Sequence, residues 1–400
     1  MAEFSDREHF IPIRCQDLIE LLCGDRGPGA SQPLTASEKA NFCSFAQQIR
    51  EYFHKEYYQR LLELKHAYSA FDPDSDTVTI HNLTAEQRQS EQDRLFHDFT
   101  SLLERANYTR MTREQIEKEM EGSSYWGIDM SVEWRVFDRI EIFYRGSKIG
   151  HRVKRHWLKI WQKLDISLPI WQRLTIIIRL KPHRRLGKHA DTDHIFLKLF
   201  KDIPRMDLEM LLPGTRIKMK LLERGKLGAS LLSSIGYVAW KLSDYSLKIL
   251  EQGLFALYAP VALVLGYAYK TWSGFTTTRQ TYMLQLTQSL YYQNLDNNAG
   301  VIYRLLDEAE DQETREVLLA YFYLWRYAKE RAWTLAELDD YIELDLEKRL
   351  SLNIDFEIKD AVEKLKRLHL LLPDDQGMHV IPIEEAIVSL RKQQTMLHGG

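Results

Sequence analysis

Four hundred residues exceed what one compact core holds, so the length predicts two or three domains. Apolar and charged fractions of 44% and 28% are ordinary for a globular protein and exclude a disordered chain. The net charge of −3 hides an asymmetry. Residues 1–134 hold 14 Lys/Arg against 24 Asp/Glu, residues 135–226 hold 23 against 9, and residues 227–400 hold 17 against 24, which gives −10, +14 and −7. A basic middle between acidic flanks predicts an anionic partner for the middle, or contact between the parts. Three cysteines, Cys15, Cys23 and Cys43, lack a CxxC or His-rich framework and predict free thiols in a reducing compartment. The opening MAEFSDREHF has neither an apolar run nor Arg-rich character, so membrane contact is expected from inside the chain.

In chain order, a brief helix is expected around Asp17–Leu22, then a Gly/Pro/Ser linker at Gly24–Pro33. Thr35/Glu38, Thr84/Gln87 and Thr112/Gln115 are capping boxes that start three helices, the first with apolar residues at helical spacing from Phe42 to Tyr68. From Trp126 the pattern becomes β-like. Ile140–Tyr144 alternates and is expected to stop at Arg145-Gly146; Leu174–Leu180 and Ile195–Phe200 are compact β-type runs; Arg216–Lys220 alternates. His151–Lys163 between them is basic and aromatic. These predict a small, largely antiparallel sheet.

Leu254–Tyr269 carries no charge, and Pro260 within it suits a membrane helix better than a soluble one. Tyr269 and Trp272 supply interfacial rings at its end. Leu227–Trp240 is a weaker apolar half, interrupted beyond by Lys241 and Asp244. Together they predict a membrane hairpin with both soluble parts on one, cytoplasmic, side. Lys218, Lys220, Arg224 and Lys226 before it are the expected contacts to anionic headgroups. The alternative is a buried helical pair, because apolar runs of this length also form soluble cores.

Beyond it, a polar helix is expected over Thr276–Asn294, a turn at Asp296–Gly300, and separate helices at Val301–Glu310 and Thr314–Arg331. Thr334/Glu337 caps another helix, Asp355 one over Phe356–His369, and Leu370–Leu372 with His379–Ile383 read as a hairpin, in winged-helix order.

Phe143-Tyr-Arg-Gly146, the string Leu197–Gly214 (LKLFKDIPRMDLEMLLPG), Asn297-Asn-Ala-Gly300 and Leu306–Glu313 carry a resemblance. They are similar to the family of unknown function (DUF3754) that includes vertebrate transmembrane protein 143, over most of residues 100–372. The resemblance implies a membrane protein with two adjacent spans and brings no activity and no catalytic residues. Without a transit-type leader, a bacterial inner membrane is the expected location. The motif surface it suggests is Arg145, Lys201, Pro204, Asp207 and Glu209.

Other constellations are weaker. Asp72, Asp74 and Asp76 have the first spacings of a calcium loop, but Thr77 and Leu83 stand where Gly and Glu are needed. His183, His189, Asp191, Asp193 and His194 suit either a metal or a surface loop, with Arg184, Arg185 and Lys188 opposing a cation. Asp207 and Glu209 suit paired-carboxylate chemistry or a strand-to-helix corner. The acidic run Asp307, Glu308, Glu310, Asp311 and Glu313 suits a solvated helix face, a divalent ion, or a partner for the basic middle. There is no P-loop, GxGxxG, GxSxG or HExxH, so no cofactor is expected.

The expected fold is α+β and mainly helical. It comprises an N-terminal helical domain (1–125), a basic β-rich domain (126–222), a membrane hairpin (223–273), a helical connector (274–331) and a winged-helix-like end (332–400). The expected function is a membrane-anchored scaffold or adaptor facing anionic lipid. A membrane-linked hydrolase or transferase using carboxylates and histidines around 183–209, and a membrane-tethered DNA-binding regulator, are the alternatives.

Overall fold

The computed structural model describes residues 8–24, 33–77, 83–120, 129–155, 163–186, 190–218, 290–328, 333–372 and 377–396, with scattered positions between 262 and 287. Local chemistry starts the helices where the sequence places them. α1 spans Cys15–Cys23 and α2 spans Ala36–Tyr68; at the head of α2 the Thr35 hydroxyl accepts from the Glu38 amide at 3.2 Å, and the Glu38 carboxylate accepts from the Thr35 amide at 2.9 Å. The same reciprocal pair opens α3 (Ala85–Arg105) through Thr84/Gln87 and α4 (Arg113–Met120) through Thr112/Gln115.

The strands, in chain order, are β1 (Thr109–Arg110), β2 (Asp129–Ser131), β3 (Phe137–Arg155), β4 (Lys163–Leu180), β5 (Ile195–Pro204), β6 (Arg216–Lys218) and β7 (Asn294–Asn297). Five form one antiparallel sheet in the order β1-β3-β4-β5-β7, while β2 pairs with β6 alone. The sheet is covered on both faces, which is why β4 reads as a continuous apolar run rather than an alternating one. Phe143, Ile177, Leu197 and Leu199 join the helical core, whereas Ile142, Leu174, Ile176 and Phe200 join a smaller core with α4 and the short 3-10 helix Arg205–Leu211.

The helical layer is built around α5 (Ala299–Tyr327), which is buried over nearly all of its second half. Phe45 of α2 stacks on Tyr321 with centroids 4.0 Å apart, and Phe42 meets Phe322 edge-on at 5.0 Å. α6 (Leu335–Leu350) opens on the Thr334/Glu337 box and α7 (Ile358–Arg367) follows. A hairpin of β8 (Leu371–Leu372) and β9 (His379–Val380) then leads to α8 (Ile383–Met396), which docks on α2 through Asn41–Glu384 at 2.7 Å. One apolar cluster runs from Ile11 to Leu390.

Three expectations change. The strand expected to stop at Arg145-Gly146 runs on to Arg155, because Gly146 adopts φ +72 in register, where a Cβ would meet the Gln172 side chain at 2.9 Å. The turn expected at Asp296–Gly300 is edge strand β7 followed directly by α5. The two helices expected at 301–331 are one, since the polar stretch that suggested a break is buried and paired within the core. The linker at 25–32 and most of the 223–273 hairpin lie outside the described residues.

The ring stack at Phe45 fixes α2 to α5, so Phe45→Ala is expected to cost about 3–5 kcal/mol. Urea unfolding would show it, with Leu62→Ala, at a half-exposed position of the same helix, as the near-neutral comparison.

Candidate functional site

The densest constellation of ionisable groups is inside the molecule, on α5. Gln312, Glu313, Thr314, Arg315 and Glu316 are each 95% or more buried. Two successive carboxylates, Glu313 and Glu316, sit there because three elements bring cations to them. Lys364 of α7 binds Glu316 directly, lies 2.5 Å from Asp360 and 3.9 Å from Glu313. Arg105 at the end of α3 reaches Glu313 at 3.2 Å, and Arg367 of α7 reaches it at 3.5 Å. Glu56 of α2 adds a carboxylate 3.0 Å from Arg367, and the Asn107 and Gln312 amides donate to Glu316 at 3.2 and 2.7 Å. Burial alone would depress the Lys364 ammonium; Glu316, Glu313 and Asp360 reverse this and raise it, so it stays charged. Burial, then Glu313, pushes the Tyr57 phenol up.

A second cluster lies one helical turn earlier. Glu308 accepts from the Tyr108 hydroxyl at 2.9 Å and pairs with Arg145 at 2.9 Å, Arg304 at 3.5 Å and Arg173 at 3.7 Å. Arg145 is 6% exposed, donates to the Ala106 carbonyl, and lies 4.0 Å from the Phe10 ring centroid. Part of the acidic run is thus a partner for the basic middle of the chain. Chemically both clusters are closed sets of opposite charges, and their arrangement holds elements together.

The other motif residues are built into the fold. Asn298, at φ +48, accepts from the Leu197 amide at 3.2 Å and donates to Asp74 at 2.5 Å, joining β5, the α2–α3 loop and the start of α5. A Cβ on Gly300 would lie 2.8 Å from the Asp296 carboxylate. Pro204 and Glu209 are buried at the corner between β5 and the 3-10 helix, with Lys201 and Asp207 half-buried, so much of the expected motif surface is interior. Thr215 donates to the carbonyls of Glu209 and Leu212, closing that corner.

His194 binds Asp191 at 2.7 Å, Asp191 also accepts from the amides of Asp193 and His194, and His183 accepts from the Arg185 amide. These are local turn contacts, and His189 lies outside the described residues. Among the described residues no group of three His, Cys, Asp or Glu side chains is placed to hold a metal ion. Asp72 accepts from the Asp74 amide in an ordinary turn. Burial pushes the Cys15 thiol up to about 11 and, helped by Cys43, the Cys23 thiol to about 12, which leaves little thiolate at neutral pH.

Leu227, Trp240, Leu254, Pro260, Lys220, Arg224 and Lys226 lie outside the described residues, and Lys218 is the last residue of β6. Among the described residues no helix is long and apolar enough to cross a membrane. The described positions between 262 and 293 are helical, and they expose large apolar side chains: Leu265 64%, Tyr269 73%, Trp272 68%, Leu284 61%, Tyr291 77% and Tyr292 71%. Sequence reasoning missed how the ends meet. Gln293 closes this helical stretch by donating to the Asp202 carbonyl at 2.9 Å, and the Asp202 carboxylate binds Lys148 of β3 at 2.5 Å.

The class so defined is a mixed α+β protein whose buried charges are matched within its own packing and whose helical stretch after residue 262 presents apolar and aromatic side chains outward. Residues 137–300, from β3 to the first turn of α5, match the family model described as a protein of unknown function (DUF3754). This is a narrower span than the 100–372 that the resemblance covers. No solved structure matches the chain.

Removing one member of the α5 network strands the others. Lys364→Met is expected to cost about 3–5 kcal/mol in chemical unfolding, and adding Glu316→Leu is expected to recover part of that loss. Asp339 behaves differently: burial, then Glu343, Asp355 and Asp340, push its carboxyl up to about 7. In the unfolded chain it titrates at roughly 4, so the folded state holds the proton more tightly. The stability linked to that proton is present below pH ~4 and lost as pH rises through about 7. Asp339→Asn should therefore flatten the fall in Tm between acidic and neutral pH.

Proposed function

We propose that the protein is a membrane-anchored scaffold, held by the apolar segment within 223–273 and presenting its α+β body on one side of the bilayer. One observation carries this reading: the row of exposed Leu265, Tyr269, Trp272, Leu284, Tyr291 and Tyr292, continuous in sequence with the uncharged run Leu254–Tyr269. Large apolar side chains left exposed in number mark an interaction site, and Tyr and Trp are the rings that settle at the headgroup level. The body supports a scaffold rather than a catalyst, because its buried carboxylates are matched by Arg and Lys.

We read the order of α5, the Trp333–Met378 bridge, α6, α7 and the β8–β9 hairpin as winged-helix-like. We read it as a protein-contacting module. On its third helix Lys364 is buried against Glu316, and Arg367 pairs with Glu56 and Glu313, which leaves Lys359 and Lys366 beside Glu363 on the exposed face. Duplex binding needs a clearer positive face. Both soluble parts lie on the cytoplasmic side in this reading.

Fractionation of the expressed full chain tests the anchor. It is expected to stay in the membrane pellet through a carbonate wash and to leave it in detergent. Recovery in the soluble fraction before any wash would overturn the reading.

A further inference from the structure

β5 stops at Pro204, opposite Ile170, but the β3–β4 ladder continues for seven more register pairs, from Ile149↔Pro169 to Arg155↔Lys163. At ~3.3 Å per residue this is an arm of roughly 20 Å, only two strands wide among the described residues. Near its base Leu168 and Ile170 are buried, whereas Ile149 is 70% exposed and Pro169 is exposed. A two-stranded ribbon is marginal on its own. By sequence the seven register pairs are basic: they contain Arg152, Lys154, Arg155 and Lys163 against Asp165.

The arm also has a fixed neighbour. Asp202, at φ +53, binds Lys148 at the arm's base through its carboxylate and Gln293 through its carbonyl. Strand directions agree: β5 ends, β7 begins and the arm departs at the same end of the sheet. The basic arm and the exposed helical stretch that ends at Gln293 therefore leave the body together.

We propose that this arm is the element that recognises anionic phospholipid headgroups on the membrane face; the inference rests on the anchor reading above. Lys and Arg near an anionic surface each contribute on the order of 1 kcal/mol, and the exposed Ile149 adds apolar contact at the same level.

The test is flotation of the full chain with vesicles of phosphatidylcholine alone and of equal parts phosphatidylcholine and phosphatidylglycerol. Wild type is expected to bind the anionic vesicles at least ~10-fold better at low salt, and Arg152→Gln/Lys154→Gln/Arg155→Gln to bind both alike. Arg152→Lys/Arg155→Lys, which keeps the charge, should restore the preference and so separates recognition from misfolding. Leu265→Gln/Tyr269→Ser/Trp272→Ser should weaken binding to both vesicles. Equal binding of wild type to both overturns the arm assignment and leaves the anchor standing; no binding to either overturns both. A triple Gln variant that keeps the anionic preference but loses binding to a DNA duplex also overturns it, in favour of nucleic acid.

Discussion

Glu313 and Glu316 lie on a helix enclosed by protein, where an unpaired carboxylate would cost several kcal/mol. They are tolerated only because α3, α7 and the turn after α3 deliver Arg105, Lys364, Arg367 and Asn107 to the same place. The rest of the architecture inherits that demand. α7 must dock where Lys364 reaches Glu316, α3 must end where Arg105 reaches Glu313, and the sheet must present Arg145 and Arg173 to Glu308 a turn earlier. Apolar contacts such as Phe45 on Tyr321 supply most of the attraction, but they tolerate sliding. The ion pairs accept one register.

What was legible in the sequence was local. Four capping boxes fix four helix starts because both partners lie within one turn of each other. The compact apolar runs of β4 and β5 announce a sheet covered on both faces. Interactions between distant segments were not legible. Asp307–Glu316 looks like solvated polar sequence, and nothing nearby shows that Lys364, forty-eight residues beyond Glu316, makes it core. The only available hint was the charge imbalance between the basic middle and its acidic flanks, of which Arg145 with Glu308 is one resolved instance. The arm escaped notice because a glycine that normally ends a strand here lets it pass.

The motif residues shared with the resembling family acquire physical reasons. Asn298 is placed where the backbone turns to φ +48 and a side chain must bond β5 and Asp74 at once; Gly300 is small because Asp296 occupies the space a side chain would need. Asp202 turns the end of β5 and fastens two neighbouring segments. These positions specify a framework in this chain.

Residues 8–13 lie threaded through this framework. Glu8 bridges Ile354 in parallel and takes the Ser147 amide, Phe10 lies against Arg145 and Arg315, and Ile11 donates to Gln312. These residues therefore wait during synthesis for partners made some three hundred residues later. At synthesis rates of ~5–20 residues per second that interval is tens of seconds, during which the apolar faces of α1, α2 and α3 have no α5 to cover them. Long-range closure of this kind leaves apolar surface uncovered for that interval, the condition under which a nascent chain is prone to aggregate.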